Sequence, residues 1–132
     1  MPAFDLAHST LYTSTTWDVD TFSILSHSNI AKFYEFWLEN VPKNLSESVR
    51  EWLVDLRRMM WLWSITWCVK WLAQTKENKI TNSLIIDPNY KNLMSHVEDR
   101  VSHYLKPEII EKVRNDWRTK NDLTTLLNYN IT

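Results

Sequence analysis

The sequence predicts an all-α protein, an irregular bundle of about five helices around a central tryptophan-rich helix. The chain has 132 residues and no glycine, whereas average usage of about 7% would give roughly nine. Glycine is the usual residue where the backbone needs a positive φ, so its absence excludes glycine-rich phosphate loops and Asn-Gly hairpins. Apolar residues recur at helical spacing, and prolines stand where helices begin or end.

Composition predicts a single helical domain over residues 1–132. The hydrophobic content of 44% and charged content of 23% are those of a globular protein. A net charge of −1 argues against nucleic acid as a partner. Cys68 is the one cysteine, which excludes a disulfide framework and a cysteine zinc site. The apolar run 59–73 is shorter than the roughly 18 residues of a membrane span, and the start resembles no signal peptide, so we expect a cytoplasmic protein without a membrane partner.

Proline and hydroxyl residues mark the first two predicted helices. The first begins at Pro2, a favourable first-turn residue, and precedes the hydroxyl-rich run Thr13–Thr16. The second is predicted over Asp20–Asn40 and is ended by Pro42.

The third predicted helix is the longest, at about Leu45–Thr75. Asn44 and Glu47 have the spacing of a capping box at its start. Beyond Met60 the helix is apolar nearly all round, which predicts that it is the central and most enclosed element.

Polar residues and prolines also mark the helix boundaries in the second half of the chain. Lys76–Ser83 is polar and predicts a loop, after which Asp87 and Pro88 mark the start of a fourth helix. Pro107 opens the fifth helix. The tail 119–132 either frays or packs through its three leucines, Leu123, Leu126 and Leu127.

Trp63, Trp67 and Trp71 recur at four-residue spacing and therefore lie along one side of the third helix. Such a stripe forms either a cage for a cationic or aromatic ligand or ordinary core, and core filling is the favoured interpretation. Trp61 faces another side. Cys68 lies within the same apolar run, where burial raises a thiol pKa, so it is not expected to be a nucleophile.

Two other groups of side chains are of types that bind metal ions or polar ligands. His96, Asp99 and His103 share one helix face and are metal-ligand types, but the first and last are separated by a rise of about 10 Å, which favours a solvated face. Asp18 and Asp20 lie beside Trp17, a set that either receives an amine-bearing ligand or starts a helix at Asp20.

The opening residues Pro-Ala-Phe-Asp-Leu-Ala-His, 2–8, resemble the Gly-Asp-Pro-x-x-Asp-Leu-Ala segment of aminoglycoside phosphotransferases and choline-kinase-like small-molecule kinases. The resemblance covers the helix order over residues 1–75. It implies that Asp5 is the motif's second aspartate, a structural residue, and that the chain is the substrate-side, C-terminal part of such an enzyme. By position in that family, the substrate-binding residues are Trp17, Asp18 and Asp20.

The family's nucleotide lobe, catalytic loop and metal-binding aspartate have no counterpart in this sequence. ATP and magnesium are cofactors of the complete family enzyme, so none is expected in this chain, and we expect it to be inactive alone. Its partners are then the missing N-terminal kinase lobe or another chain, with a small-molecule acceptor in the parent enzyme. In such a fragment Phe4 and Leu11 are expected to be partly uncovered.

A free-standing helical protein-interaction module is the alternative. Eight tryptophans can exceed what one small core buries, and a large exposed apolar patch marks a partner site. Candidate anchors are Trp52, Trp61 and Trp117.

Overall fold

The computed structural model describes residues 2–77 and 88–131. Within these ranges the chain is helical and contains no strand, which confirms the all-α class. The helices are α1 (Pro2–Ser9), α2 (Tyr12–Thr15), α3 (His27–Asn40), α4 (Lys43–Val49), α5 (Leu53–Glu77), α6 (Pro88–Tyr104), α7 (Pro107–Arg118) and α8 (Asp122–Leu126), with a 3₁₀ turn at Arg50–Trp52.

The chain divides into two compact units. The first comprises Met1–Leu62 and Val113–Thr132, and the second comprises Trp63–Lys112. The core of the first unit is drawn from both ends of its sequence, and its buried members are Ala3, Leu6, Ile30, Tyr34, Leu38, Val49, Leu53, Val54, Leu123 and Leu127. The buried residues of the second unit include Cys68, Val97, Val101 and Tyr104.

The C-terminal tail packs. Helix α8 lies against α3, and Leu123 and Leu127 are buried in the core of the first unit. Asn121 caps α8 through a reciprocal capping box with Thr124. Arg50 adds a guanidinium hydrogen bond of 2.8 Å to the Leu126 carbonyl, so the tail is anchored at both ends of its helix.

Asn128 adopts the left-handed backbone conformation in which glycine is the usual residue at the end of a helix. Its φ of 52° is in the left-handed region, which asparagine tolerates better than other residues with a Cβ. The Tyr129 amide bonds to the Thr124 carbonyl at 2.9 Å, and the Asn128 amide bonds to Thr125, as in a Schellman motif. The turn directs Tyr129 back to α5, where its hydroxyl donates to Asp55 at 2.6 Å. That bond raises the pKa of the Tyr129 hydroxyl.

The predicted start of the second helix is wrong. Helix α3 begins at His27, seven residues after Asp20, because the Ser26 hydroxyl accepts from the Asn29 amide at 3.1 Å and supplies the N-cap. Its end is as predicted: Asn40 is the last helical residue, and Pro42 follows an extended Val41.

The single long helix predicted over Leu45–Thr75 is divided in the structure. Helix α4 begins at Lys43 directly after Pro42, so Asn44 is inside the helix and the predicted capping box does not form. A 3₁₀ turn then separates α4 from α5.

Pro88 and Pro107 open α6 and α7 as predicted. Lys76 and Glu77, assigned to a loop, are the last residues of α5. The rest of that predicted loop and the cap at Asp87 fall outside the described residues. At the N-terminus α1 begins at Pro2, but Leu11 is fully buried rather than uncovered, while Phe4 is half-buried.

Candidate functional site

Helix α5 exposes large apolar side chains in the second unit. Trp63 is 59% exposed, Trp67 is 41% exposed and Val69 is 53% exposed; we call these three residues the aromatic face. The expectation that α5 is the most enclosed element, with its tryptophan stripe filling the core, is therefore wrong for Trp63 and Trp67. The buried positions of the same turns are Ser64 and Cys68.

The aromatic face carries little charge. Lys70 is the only charged residue in the run 59–73, and Thr66 is the exposed polar residue between Trp63 and Val69. Trp71, the third member of the predicted stripe, is half-buried and lines a cavity of about 240 Å³ with Tyr90 and Met94 of α6. In the second unit Trp71 therefore lines the cavity, whereas Trp63 and Trp67 lie on the exposed surface of α5.

The three predicted anchor tryptophans have different surroundings. Trp52, in the 3₁₀ turn of the first unit, is 60% exposed. Trp61 is buried and meets Trp117 edge-on, with ring centroids 4.9 Å apart and an interplanar angle of 87°. Such a geometry is a favourable aromatic pair. Trp61 is therefore a core residue and is not an anchor.

A cleft of about 200 Å³ in the first unit is lined by three arginines, a tryptophan and an isoleucine; we call it the arginine cleft. Its members are Arg58, Arg114, Trp117, Arg118 and Ile131. The sequence signal for it was the pair Arg114 and Arg118, one helical turn apart in α7, but Arg58 and Ile131 join them only through the fold.

Arg58 is held rigidly at this cleft. Its Nη2 donates to the Trp117 carbonyl at 2.6 Å and its Nη1 donates to the Tyr129 hydroxyl at 3.0 Å. The guanidinium also lies 5.0 Å from the centre of the Tyr129 ring, within cation–π range. The half-exposed carboxylate of Asp55 lies beside it, with Oδ1 3.8 Å from Arg58 Nη1.

Arg57, the adjacent residue, points into the interior instead. Its Nη2 donates to the Thr10 carbonyl at 2.7 Å, and burial lowers the pKa of the guanidinium. Burial raises the pKa of neighbouring Tyr34, whose hydroxyl has no hydrogen bond of good geometry among the described residues. The pair lies where α3 and α5 meet in the core of the first unit.

The residues predicted to bind substrate lie in the segment between α2 and α3. Trp17 is half-buried, whereas Asp18 and Asp20 are exposed. The Asp18 carboxylate accepts from the Asp20 amide at 2.9 Å, which shapes the local turn. Asp20 does not start a helix. Asp5 is exposed in the first turn of α1.

The predicted metal-ligand types on α6 do not assemble a metal centre. The Asp99 carboxylate bonds to Arg100 at 2.7 Å, and this contact lowers the pKa of Asp99. Partial burial lowers the pKa of His103. Among the residues that the structure describes, no group of three histidine, cysteine or acidic side chains is placed to hold an ion.

Cys68 is buried, and burial raises the pKa of its thiol to about 11, in the direction that disfavours the thiolate.

Comparison of the chain with protein-family models, curated proteins and solved structures finds no match. The resemblance of residues 2–8 to the phosphotransferase segment stays a prediction, with Asp5, Trp17, Asp18 and Asp20 as its residues. In the described part of the chain, no helix is long and apolar enough to cross a membrane.

Proposed function

We propose that this protein is a helical interaction module that self-associates through the aromatic face of α5. The observation that carries the proposal is the exposure of Trp63 and Trp67, at 59% and 41%, on a regular helix. Tryptophan is enriched at the energetic centres of protein interfaces, and contiguous exposed apolar surface marks partner sites.

The area exposed on this face suits a weak dimer, because the roughly 500 Å² that two copies would bury through their tryptophans is below the about 1,200–2,000 Å² of stable interfaces. A tryptophan has about 250 Å² to bury, so Trp63 and Trp67 together offer roughly 250 Å² per copy. At about 25 cal/mol per Å², burial on both copies contributes about 12 kcal/mol. Association costs at least about 4 kcal/mol, and ordering the side chains adds to that cost. We expect a dissociation constant on the order of 10 µM.

A second copy of the chain suits this face because the face is apolar and nearly uncharged. An antiparallel pairing of two α5 helices about Thr66 places Trp63 opposite Val69 of the other copy. It also separates the two Lys70 positions by about 12 Å along the helix, whereas a parallel pairing would place them side by side. The symmetric arrangement therefore buries the aromatic residues without opposing two ammonium groups.

Sedimentation velocity on Trp63→Ala and Trp52→Ala tests the proposal. The two tryptophans are matched in exposure, at 59% and 60%, but Trp52 lies outside the aromatic face. We expect the wild-type protein and Trp52→Ala to sediment as dimers at about 100 µM and as monomers near 1 µM, on either side of the expected dissociation constant. Trp63→Ala should stay monomeric throughout.

Two results would count against the proposal. A wild-type protein that is monomeric at every concentration would show that the exposed aromatic face does not mediate self-association. Equal weakening by Trp63→Ala and Trp52→Ala would mean that association is nonspecific.

A further inference from the structure

We propose that the cavity of about 240 Å³ between α5 and α6 binds a small aromatic amine, with the ring of the ligand against Trp71 and Tyr90 and its ammonium group at Glu98. We call this site the α5–α6 cavity, and its lining also includes Lys91 and Met94. The proposal is independent of the self-association described above, because the cavity shares no residue with the aromatic face.

Helical spacing gives the α5–α6 cavity an apolar middle and charged ends. Lys91, Met94 and Glu98 lie along one face of α6, at steps of three and four residues, while Trp71 comes from α5. Lys91 and Glu98 are seven residues apart, which is a rise of about 10 Å along the helix. A ligand that occupies the middle therefore approaches one of these charges at a time.

The walls of the cavity suit a flat ring. Trp71, Tyr90 and Met94 are each half-buried, so part of each side chain remains accessible. Aromatic rings pack favourably on one another in offset or edge-on arrangements, and the flexible thioether of methionine adapts to a ring beside it. A ligand cage was one of the two interpretations of the tryptophan stripe, and Trp71 is the member that fits it.

Glu98 supplies the polar contact. It is exposed and lines the cavity, so its carboxylate lies at the rim. In the described part of the chain, Glu98 makes no ion pair or hydrogen bond with another side chain. Its carboxylate can therefore accept a charge-assisted hydrogen bond from a ligand ammonium without giving up a protein partner.

The two rings favour a cation over an anion in this cavity. The face of a tryptophan or tyrosine ring is electron-rich and attracts positive charge. Lys91 opposes an amine only weakly, since its flexible ammonium is exposed and strongly hydrated. The rise of about 10 Å that separates it from Glu98 is also close to the Debye length in about 0.1 M salt.

The size of the cavity limits the ligand to one small ring system. A volume of about 240 Å³ is below that of pockets for drug-sized ligands. Phenethylamine, a single ring with a two-carbon arm and a terminal ammonium, has the required shape and charge. 2-Phenylethanol is its matched neutral analogue, because a hydroxyl replaces the ammonium on the same arm.

Titration calorimetry of the full chain with these two compounds tests the assignment. We expect saturable binding of phenethylamine with a dissociation constant on the order of 1 mM, as for a ligand of few atoms. 2-Phenylethanol should bind roughly fivefold more weakly because it lacks the charge that Glu98 and the rings attract. Added salt should weaken the binding of phenethylamine and leave that of 2-phenylethanol nearly unchanged.

Three charge variants and one ring variant locate the site. Glu98→Gln should weaken phenethylamine binding roughly threefold to fivefold, whereas Glu39→Gln, which removes an exposed carboxylate from α3 of the first unit, should change it little. Lys91→Gln should strengthen binding slightly. Tyr90→Leu should weaken it roughly fivefold through the lost ring. Circular dichroism verifies that each variant is folded, and Glu98 and Lys91 are exposed, so their variants test the site even if Tyr90→Leu does not fold.

Three results would overturn the proposal. The first is no saturable binding of phenethylamine by the wild-type chain. The second is 2-phenylethanol binding as tightly as phenethylamine, which would show that the cavity does not select an amine. The third is equal weakening by Glu98→Gln and Glu39→Gln, which would indicate attraction by net charge.

Discussion

Replacing Leu123 with alanine should destabilise the first unit strongly, because the tail is part of its core. Leu123 is 6% exposed and packs where α8 meets α3. Removing a buried leucine loses transfer free energy and leaves a cavity, at a combined cost of about 2–5 kcal/mol. Because Leu123 is buried this completely, we expect Leu123→Ala to lower the free energy of unfolding by about 3 kcal/mol. Leu93→Ala is the matched control, since Leu93 is 58% exposed on α6, and it should change stability by less than about 0.5 kcal/mol.

Urea denaturation followed by circular dichroism measures both changes. With a slope of about 1.5 kcal/mol per molar urea, Leu123→Ala should lower the midpoint by about 2 M. The midpoint of Leu93→Ala should be nearly that of the wild-type protein. If Leu123→Ala shifted the midpoint no more than Leu93→Ala, the tail would not contribute to the core, and the packing of α8 on α3 would be refuted.

Three further predictions concern the turn after α8 and the buried thiol. Asn128→Ala should lower the free energy of unfolding by about 1 kcal/mol because of the left-handed φ, while Asn128→Gly should lose nothing; equal losses in urea denaturation would contradict this. Cys68 should react with iodoacetamide about 100-fold more slowly in the folded than in the unfolded chain near pH 8, because its pKa rises from 9.0 to about 11. Comparable rates would show that the thiol is accessible. The same shift should reduce stability as the pH rises from 9.0 towards about 11, since the unfolded chain releases the proton first.

Helix starts marked by proline could be predicted from the sequence. Pro2, Pro88 and Pro107 each open a helix, because a fixed φ and a missing amide are tolerated in the first turn. The start of α3 could not be predicted in this way. Asp20 and Ser26 are both residue types that cap helices, and the local sequence does not distinguish them. In the structure the cap is Ser26, whose hydroxyl accepts from the Asn29 amide.

The surfaces of α5 were beyond sequence reasoning for a related reason. A helix that is apolar on all sides gives no periodic signal for the side that is buried. Contacts from the rest of the chain bury Ser64 and Cys68 and leave Trp63 exposed.

The arginine cleft likewise depends on long-range placement, because Arg58 meets Trp117 across 59 residues of sequence. Helical spacing could pair Arg114 with Arg118, but it could not supply the third arginine.

Oxidative cross-linking of Thr66→Cys tests most directly whether the α5 face pairs with itself. Thr66 is exposed beside the aromatic face, at the proposed two-fold axis, whereas Ser102 is an exposed residue of α6 that serves as the control. Antiparallel pairing brings two cysteines at position 66 together, so Thr66→Cys should convert to a covalent dimer while Ser102→Cys and the wild-type chain stay largely monomeric. Adding Trp63→Ala should abolish the cross-link. Cross-linking at equal rates from positions 66 and 102, or none from position 66 above the dissociation constant, would contradict self-association through this face.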